Sequence, residues 1–236
     1  MNQQTVLPEY EAQTEMFTRL VEQRWSCRAY LPDPVPHEQI GNLLRIAQNA
    51  PSWCNTQPWG VIVTEGNATE RFRAGLLAHA KEQGPRTRPD IPMPEKYTGV
   101  HLERRRESGW QLYEAIGIAR GDRMASALQA QNNFEFFGAP HAAVITVDAS
   151  QGAYGALDTG VYVGNLLLAA ESMGIAAIPQ AALATYSPFV REFFNIPEDR
   201  AVLLGVSFGW PDREHPANSY RTNRAGLDQV VHWVSE

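Results

Sequence analysis

Residues 154–173 constrain the fold most, because this stretch is apolar on nearly every side of a helix. A helix with that pattern is typical of a buried element, so we expect other elements to pack all around it. Amphipathic helices are predicted at about 16–24, 37–50, 68–83 and 102–136, the last with a possible break near Gly121. Buried strands are predicted at about 60–64, 142–147, 175–178 and 201–208.

Helices and strands alternate without the strict regularity of a parallel dinucleotide-binding fold. Two helices precede the first strand, which favours an α+β sandwich built on a mixed sheet. No change in composition suggests a linker, so we predict one domain over residues 1–236. Residues 84–110 begin with a proline-rich, charged stretch that we interpret as a variable loop or lid. In the tail, Leu227, Val230, Val231 and Val234 recur at helical spacing.

Charge and composition narrow the classes of function. The 236 residues are 44% hydrophobic and 19% charged, as in an ordinary globular protein. A net charge of −6 argues against broad binding to nucleic acid or to an anionic membrane. Residues 1–15 contain no apolar leader, and the longest apolar run is too short to span a bilayer. Cys27 and Cys54 form neither a disulfide framework nor a metal motif, so we expect a cytoplasmic protein without a metal site.

A loop rich in side-chain amides lies between the second predicted helix and the first strand. Residues 49–59 read Asn-Ala-Pro-Ser-Trp-Cys-Asn-Thr-Gln-Pro-Trp. Pro51 ends the helix, because it lacks an N–H and disfavours the α conformation at Ala50. Asn and Gln each offer a donor and an acceptor, which suits the loop to hold a flat ligand with polar edges. The amides could equally satisfy the local backbone of a turn.

Two short motifs match other chemistry but lack the context that it requires. Gly205-Val-Ser-Phe-Gly209 matches the nucleophile elbow of serine hydrolases, yet Trp210-Pro211 follows where the elbow must turn into a helix. Gly160-x-x-x-Gly164 lies in the apolar helix and indicates a helix-packing seam rather than a phosphate loop. We therefore expect neither a serine hydrolase nor a P-loop enzyme.

Two basic clusters stand far apart in this acidic chain. Arg24-Trp-Ser-Cys-Arg28 ends the first helix, and Arg221-Thr-Asn-Arg224 lies near the C-terminus. Such arginines can make charge-assisted hydrogen bonds to phosphate. They can also be solvated at the negative end of a helix dipole. Together with the amide-rich loop, the clusters suggest a ligand with a phosphate at one end and a heterocycle at the other.

Five segments, in the same order along the chain, resemble the FMN-dependent nitroreductase family of NAD(P)H-dependent flavin oxidoreductases. These segments are Arg24–Arg28, Ala50–Trp59, Phe137–His141, Gly174–Ala182 and Asn218–Asp228. The resemblance runs from about residue 14 to the C-terminus. Two positions depart from the family pattern: Trp25 stands where many members carry a second basic residue, and Gln180-Ala181 replaces a Glu-Gly or Gly-Gly pair.

The resemblance implies a nitroreductase-like α+β sandwich, a mixed sheet with helices on both faces, assembled as an intertwined homodimer. The C-terminal segment would reach over the partner, and two FMN molecules would lie at the subunit interface. Arg24, Ser26 and Arg28 would contact the phosphate, the ribityl chain and the pyrimidine edge of FMN. Arg221 and Arg224 would complete the phosphate grip.

Two further segments are implied around the flavin ring. The partner subunit would contribute the residues Pro51, Ser52, Trp53, Asn55 and Gln57. The other segment is Pro179, Gln180 and Ala181, in which backbone N–H groups of Gln180 and Ala181 would face flavin N5 and O4. The resemblance implies no catalytic side chain, because the flavin carries the chemistry.

The implied activity is reduction of a small nitroaromatic compound or quinone with NADPH or NADH, by ping-pong hydride transfer through one pocket. A cation such as Arg28 near the N1–O2 edge would stabilise the reduced flavin. Proteins of this fold that store or consume flavin, or that dehalogenate aromatics, stay open as alternatives.

Two further sets of residues have either a role in the site or an ordinary structural role. Residues that could contact the 2′-phosphate of NADPH, or else form a solvated charged face, are Arg86, Arg88, Arg104, Arg105 and Arg106. Residues that could shape the pocket or belong to the core are Phe134, Phe136 and Phe137.

Overall fold

The computed structural model describes residues 8–235. Its helices are α1 (Pro8–Gln23), α2 (His37–Ala47), α3 (Asn67–Gln83), α4 (Gly99–Ala115), α5 (Arg123–Gln131), α6 (Gly152–Ser172), α7 (Ala181–Ala184) and α8 (Ser187–Phe194). Its strands are β1 (Trp59–Thr64), β2 (His141–Asp148), β3 (Ala176–Gln180) and β4 (Arg200–Gly209). The predicted strands are all present, whereas α7 and α8 are too short for a sequence period to indicate.

The four strands form one sheet in the order β1-β2-β4-β3, and each neighbouring pair is antiparallel. Among the described residues, the only parallel contact is an isolated bridge between Ser26 and Ala177. The predicted α+β class is confirmed, but the four described strands form an antiparallel sheet rather than a mixed one, and this bridge adds a parallel contact at its edge. The bridge lays the 24–28 segment beside β3, where the Cys27 N–H donates to the Ala177 carbonyl at 3.4 Å.

Helices cover both faces of the sheet, as predicted, because successive side chains of a strand point to opposite faces. On one face, Ala143 and Ile145 pack with residues of α2 and α6. On the other, Ala142 and Val144 pack with residues of α3, α7 and α8. Phe136 belongs to this second core and is fully buried. The sheet thus separates two apolar cores within one chain.

The predicted burial of α6 on all sides is wrong for the described chain. Tyr154, Leu157 and Val161 are 59%, 61% and 39% exposed, although the opposite side of α6 lies in the core. Gly160 and Gly164 share this outer side, and a Cβ on either would meet no atom within 4 Å. We call these five residues the α6 stripe. None of the described helices, α6 included, is both long enough and apolar enough to cross a membrane.

The C-terminal tail forms one 3₁₀ turn, Leu227–Gln229, instead of the helix that its spacing indicates. Most helical stability comes from packing an apolar face against other elements. In the tail, Leu227, Val230 and Val234 are 70%, 63% and 78% exposed. The helical interpretation is therefore wrong here, because no described element covers that face.

The predicted helix at 102–136 is two helices, and the expected break near Gly121 is confirmed. Gly121 has a φ of 89°, a value that favours glycine. Asp122 then caps α5 by accepting a hydrogen bond from the Ala125 N–H at 2.9 Å. The loop expected at about 84–110 is shorter than predicted, since α4 begins at Gly99.

A neutral histidine is built into the edge of the first core. The Val35 N–H donates to Nε2 of His141 at 2.9 Å, and Nδ1 lies 3.3 Å from the Thr64 carbonyl. The ring also stacks on Phe208, with centroids 5.1 Å apart. Burial lowers the pKa of His141, although its contacts with Thr64, Glu65 and Val35 oppose the shift. A second proton would displace the bond from Val35.

The stability of the protein should therefore fall in mild acid. Between the unfolded pKa near 6.5 and the lower folded pKa, the unfolded chain binds one more proton at His141, so the free energy of unfolding falls as pH falls. We expect urea unfolding at pH 7.5 and pH 5.5 to show this loss, and His141→Asn to reduce it. The exposed His101→Asn is the matched control, and an equal pH dependence in both variants would contradict the role of His141.

Candidate active site

The two basic clusters meet at one cavity of about 430 Å³. Five predicted site residues line it: Arg24, Ser26, Arg28, Arg221 and Arg224. We call it the arginine cavity, and Glu22 is its one acidic lining residue. Asn218 joins the two segments, because its Oδ1 accepts the N–H of Arg28, 190 residues away, at 2.8 Å. Its Nδ2 donates to the Ala29 carbonyl at 2.9 Å. Asn218 begins the last segment that resembles the family, but no local pattern predicts this role, because a buried amide that links distant segments has no characteristic spacing.

The arginine cavity carries positive charge that no ion pair among the described residues neutralises. No salt bridge within residues 8–235 involves any of its four arginines. Burial lowers the pKa of Arg24, and the like charge of Arg224 lowers it further, while Glu171 opposes both. An anion with several acceptor oxygens would relieve this repulsion, so the cavity is suited to phosphate.

Tyr220, which lines the same cavity, has a buried hydroxyl without a partner. Its Oη makes no hydrogen bond to any described residue. Burial raises the pKa of Tyr220, so the hydroxyl remains neutral and can both donate and accept. Leaving such a group unpaired costs the ligand-free protein about 1–3 kcal/mol. The sequence analysis did not single out Tyr220, although it lies inside the last matching segment.

A second cavity of about 280 Å³ shares Arg28 with the arginine cavity as a lining residue. It is lined by Pro179, Gln180 and Ala181 at the junction of β3 and α7, and we call it the turn cavity. Phe137 lines it as well, whereas Phe136 lies in the core. Further lining residues that the sequence analysis missed are Leu112, Tyr113, Gln129, Ala130 and Asn133. The two cavities therefore place a cationic end and a partly aromatic end on either side of Arg28.

The β3–α7 junction is held by a buried hydrogen-bond network. Gln180 is 2% exposed, and its Oε1 accepts a hydrogen bond from the hydroxyl of the fully buried Ser207. Its Nε2 donates to the carbonyl and to Oδ1 of Asn133, at 3.0 and 3.2 Å. A Cβ at Gly205 would overlap Leu183, so glycine allows α7 to lie close to β4. The departure at Gln180 thus serves to hold the wall of the turn cavity.

The amide-rich loop lies apart from both cavities. Of its predicted site residues, Pro51, Ser52, Trp53, Asn55 and Gln57, none lines either one. Its side-chain amides do satisfy local partners, as the turn interpretation allows: Gln57 Nε2 donates to the Asn55 carbonyl at 3.2 Å. Asn55 and Gln57 have φ values of 56° and 49°, and Trp53 is 60% exposed. The loop is thus shaped by local bonds, and Gln57 lines a separate open cavity rather than either of these two.

Neither Cys27 nor Ser207 is placed for covalent catalysis. Burial raises the pKa of the Cys27 thiol to about 11, so it stays protonated at neutral pH. Ser207 is fully buried inside β4, where the Gly-x-Ser-x-Gly motif continues as strand to Gly209. Within residues 8–235, no group of three or more His, Cys, Asp and Glu side chains could hold a metal ion.

Comparison with known proteins identifies the fold and the family. Residues 21–210 match the Nitroreductase family. The chain is 40% identical over 217 residues to nitroreductase NfnB of Mycolicibacterium smegmatis, covering 90% of each protein. It is 30% identical over 222 residues to 4-nitrobenzoate reductase of Pseudomonas putida, covering 94% of this chain and 96% of that protein.

A solved structure agrees with these matches. The chain superposes with a TM-score of 0.88 on the FMN-dependent nitroreductase NfnB from Mycobacterium smegmatis in complex with NADPH. That alignment has 37% sequence identity and covers 94% of this chain and 100% of the NfnB chain. Its fold is therefore the nitroreductase fold, and the protein belongs to the nitroreductase family.

Proposed function

We propose that this protein is an FMN-dependent oxidoreductase that uses NADPH or NADH to reduce nitroaromatic compounds, with quinones as further acceptors. The observation that carries the proposal is the pair of cavities on either side of Arg28. One offers four arginines without ion pairs, and the other offers a backbone turn and aromatic walls. FMN has a phosphate at one end and a flat ring at the other, so its two ends suit these two cavities.

At the phosphate end, three arginines bind the phosphate oxygens in this proposal: Arg24, Arg221 and Arg224. The hydroxyl of Ser26 binds the ribityl chain. The lowered pKa of Arg24, to which burial and the nearby Arg224 contribute, supports an anionic ligand. These residues fit FMN better than they fit a neutral flavin, because only the phosphate would compensate their charge.

At the ring end, Arg28 faces the pyrimidine edge, and Pro179 and Gln180 form the wall beside the ring. Ala181 is the first residue of α7, so its N–H lacks an acceptor within the helix and can donate to the ring. FMN bound here would supply the redox chemistry between the nicotinamide donor and the acceptor. The side chains of the turn cavity orient both reactants and exclude water. Because donor and acceptor use this one pocket in turn, ping-pong kinetics are expected.

We further propose a homodimer in which the amide-rich loop of one subunit closes the flavin site of the other. The exposed α6 stripe, with open space over Gly160 and Gly164, supports an interface between two chains. The exposed tail residues Leu227 and Trp233 support a C-terminal segment that reaches the partner. The loop residues Pro51, Ser52, Trp53, Asn55 and Gln57 then complete the ring site, with Asn55 bonding its polar edge.

The substrate assignment follows the relatives, which include a 4-nitrobenzoate reductase and an FMN-dependent nitroreductase in complex with NADPH. We propose a nitroaromatic acceptor and favour NADPH as the donor. The proposed compartment is the cytoplasm, which would keep the free thiols of Cys27 and Cys54 reduced.

The test is anaerobic spectroscopy of the purified protein. The protein should be yellow or become so with added FMN, should bleach with NADPH, and should recolour when 4-nitrobenzoate is added. A protein that cannot be reconstituted with FMN would contradict the whole proposal. Bleaching without recolouring by any nitroaromatic or quinone would support a flavin-storing, flavin-consuming or dehalogenating protein instead.

A further inference from the structure

Trp25 is an aromatic lining residue of the arginine cavity, and the proposed function gives it no role. It is 9% exposed and packs with Cys27 and Ala176. The Arg221 guanidinium lies over its indole ring, 4.4 Å from the ring centroid. The ring face thus meets one of the cationic groups that lie around the cavity.

Arg221 is held in a defined orientation by this stacking and by two hydrogen bonds. Its Nη1 donates to the carbonyl of Asn218 at 2.9 Å and to that of Tyr220 at 2.7 Å. Within residues 8–235, neither Nε nor Nη2 of Arg221 has a hydrogen-bond partner. The plane of the guanidinium is therefore fixed, while two of its nitrogens remain available to a ligand.

We propose that Trp25 is a positioning residue, which orients Arg221 toward the phosphate of the flavin and so sets the preference of the site for FMN over riboflavin. This inference rests on the proposed function. A guanidinium is attracted to the negative face of an indole ring, and this attraction is stronger when both groups are shielded from water. A basic residue at position 25 would add repulsion to a cavity that already holds four arginines. The neutral indole holds Arg221 without that cost.

The test is the binding of two flavins that differ only in the phosphate. Dissociation constants for FMN and riboflavin are measured by ultrafiltration and flavin absorbance, without turnover. Trp25→Leu should weaken FMN binding by about 5- to 30-fold and riboflavin binding less than about twofold. Trp25→Phe, which keeps an aromatic face, should lose less than about fivefold for FMN. If Trp25→Leu fails to fold, Trp25→Phe carries the test: a lower ratio of FMN to riboflavin affinity supports the proposal, and an unchanged ratio overturns it.

A double-mutant cycle links the effect to Arg221. In the Arg221→Ala background, Trp25→Leu should cause little further loss of FMN affinity, because the indole then has no guanidinium to orient. Trp110→Leu is the matched control, since the Arg120 guanidinium likewise lies over the Trp110 ring, 4.9 Å from its centroid, while Trp110 lines neither cavity. It should leave the ratio of FMN to riboflavin affinity unchanged.

The outcomes separate this inference from the function on which it rests. Equal losses for FMN and riboflavin, or full additivity with Arg221→Ala, would overturn the role of Trp25 while leaving the flavin site intact. A wild-type protein that binds neither flavin would overturn the proposed function and this inference together. Selective loss of FMN binding, with no further loss in the double variant, is the expected result.

Discussion

Replacing Arg28 by alanine should weaken FMN binding by about 10- to 150-fold and make the bound flavin harder to reduce. Arg28 is the one residue that lines both cavities, and its backbone N–H is fixed by Asn218. A charge-assisted hydrogen bond contributes about 1.5–3 kcal/mol, which gives the expected loss of affinity. The reduced flavin carries negative charge that Arg28 would stabilise. The midpoint potential should therefore fall by about 30 mV or more, since 1.4 kcal/mol corresponds to about 30 mV for a two-electron couple.

The affinity is measured by titration with FMN, and the potential by reduction alongside a reference dye. Arg28→Lys keeps the charge but loses the planar guanidinium. Its midpoint potential should therefore stay close to that of the wild type, while its affinity for FMN should fall. Arg71→Ala, on the exposed side of α3, should change neither quantity. A potential equal to that of the wild type in Arg28→Ala would rule out the electrostatic role of Arg28.

Replacing Gln180 by leucine should destabilise the protein by several kcal/mol, even without flavin. The substitution leaves the buried hydroxyl of Ser207 and the acceptors of Asn133 without their partner. The orphaned hydroxyl of the fully buried Ser207 costs about 1–3 kcal/mol, and the half-buried acceptors of Asn133 add less than that because water can reach them. Gln180→Glu should also destabilise at neutral pH, because the introduced carboxylate can no longer donate to Asn133 and would be buried with its charge.

Urea unfolding of the flavin-free protein measures both effects. Removing the hydroxyl as well, in the double variant Gln180→Leu/Ser207→Ala, should recover part of the lost stability, since one orphaned donor disappears. The Gln180→Glu variant should regain stability as pH falls, because the buried carboxyl then becomes neutral. Unfolding midpoints equal to the wild type in both single variants would contradict the network.

The sequence predicts well what depends on local pattern or on a run of ordered motifs. The positions of the strands, α2 and α3 are predicted correctly from their apolar patterns. Each of these elements has an apolar face that packs into one of the two cores beside the sheet. The charge of the two arginine clusters suggests one phosphate-bearing ligand, the family resemblance implies the same site, and the structure places both clusters in one cavity. Their distance from each other cannot be read from local pattern, since segments so far apart in the chain meet only through tertiary structure.

What the sequence could not show depends on partners that no local pattern encodes. The predictions that α6 is buried on all sides and that the tail is helical are both wrong for the described chain. Periodicity shows that a segment has an apolar face, but it does not show which element or chain covers that face. The network of Gln180 and Ser207 is invisible for a different reason: single buried polar residues have no spacing. Tyr220 is also not predicted from the sequence, because its unpaired hydroxyl is apparent only in the folded protein.

The arginine cavity also links the amount of folded protein to the supply of its cofactor. Four like charges gathered without ion pairs favour any state that separates them, so the flavin-free protein is the less stable form. A ligand that binds only the native state adds about 2.7 kcal/mol to stability when its concentration is 100 times its dissociation constant. Under the proposed function, a cell short of FMN would therefore lose this protein to unfolding and proteolysis as well as lose its activity. Phosphate binding in the arginine cavity would in that way adjust the amount of folded enzyme to the supply of FMN without a dedicated regulator.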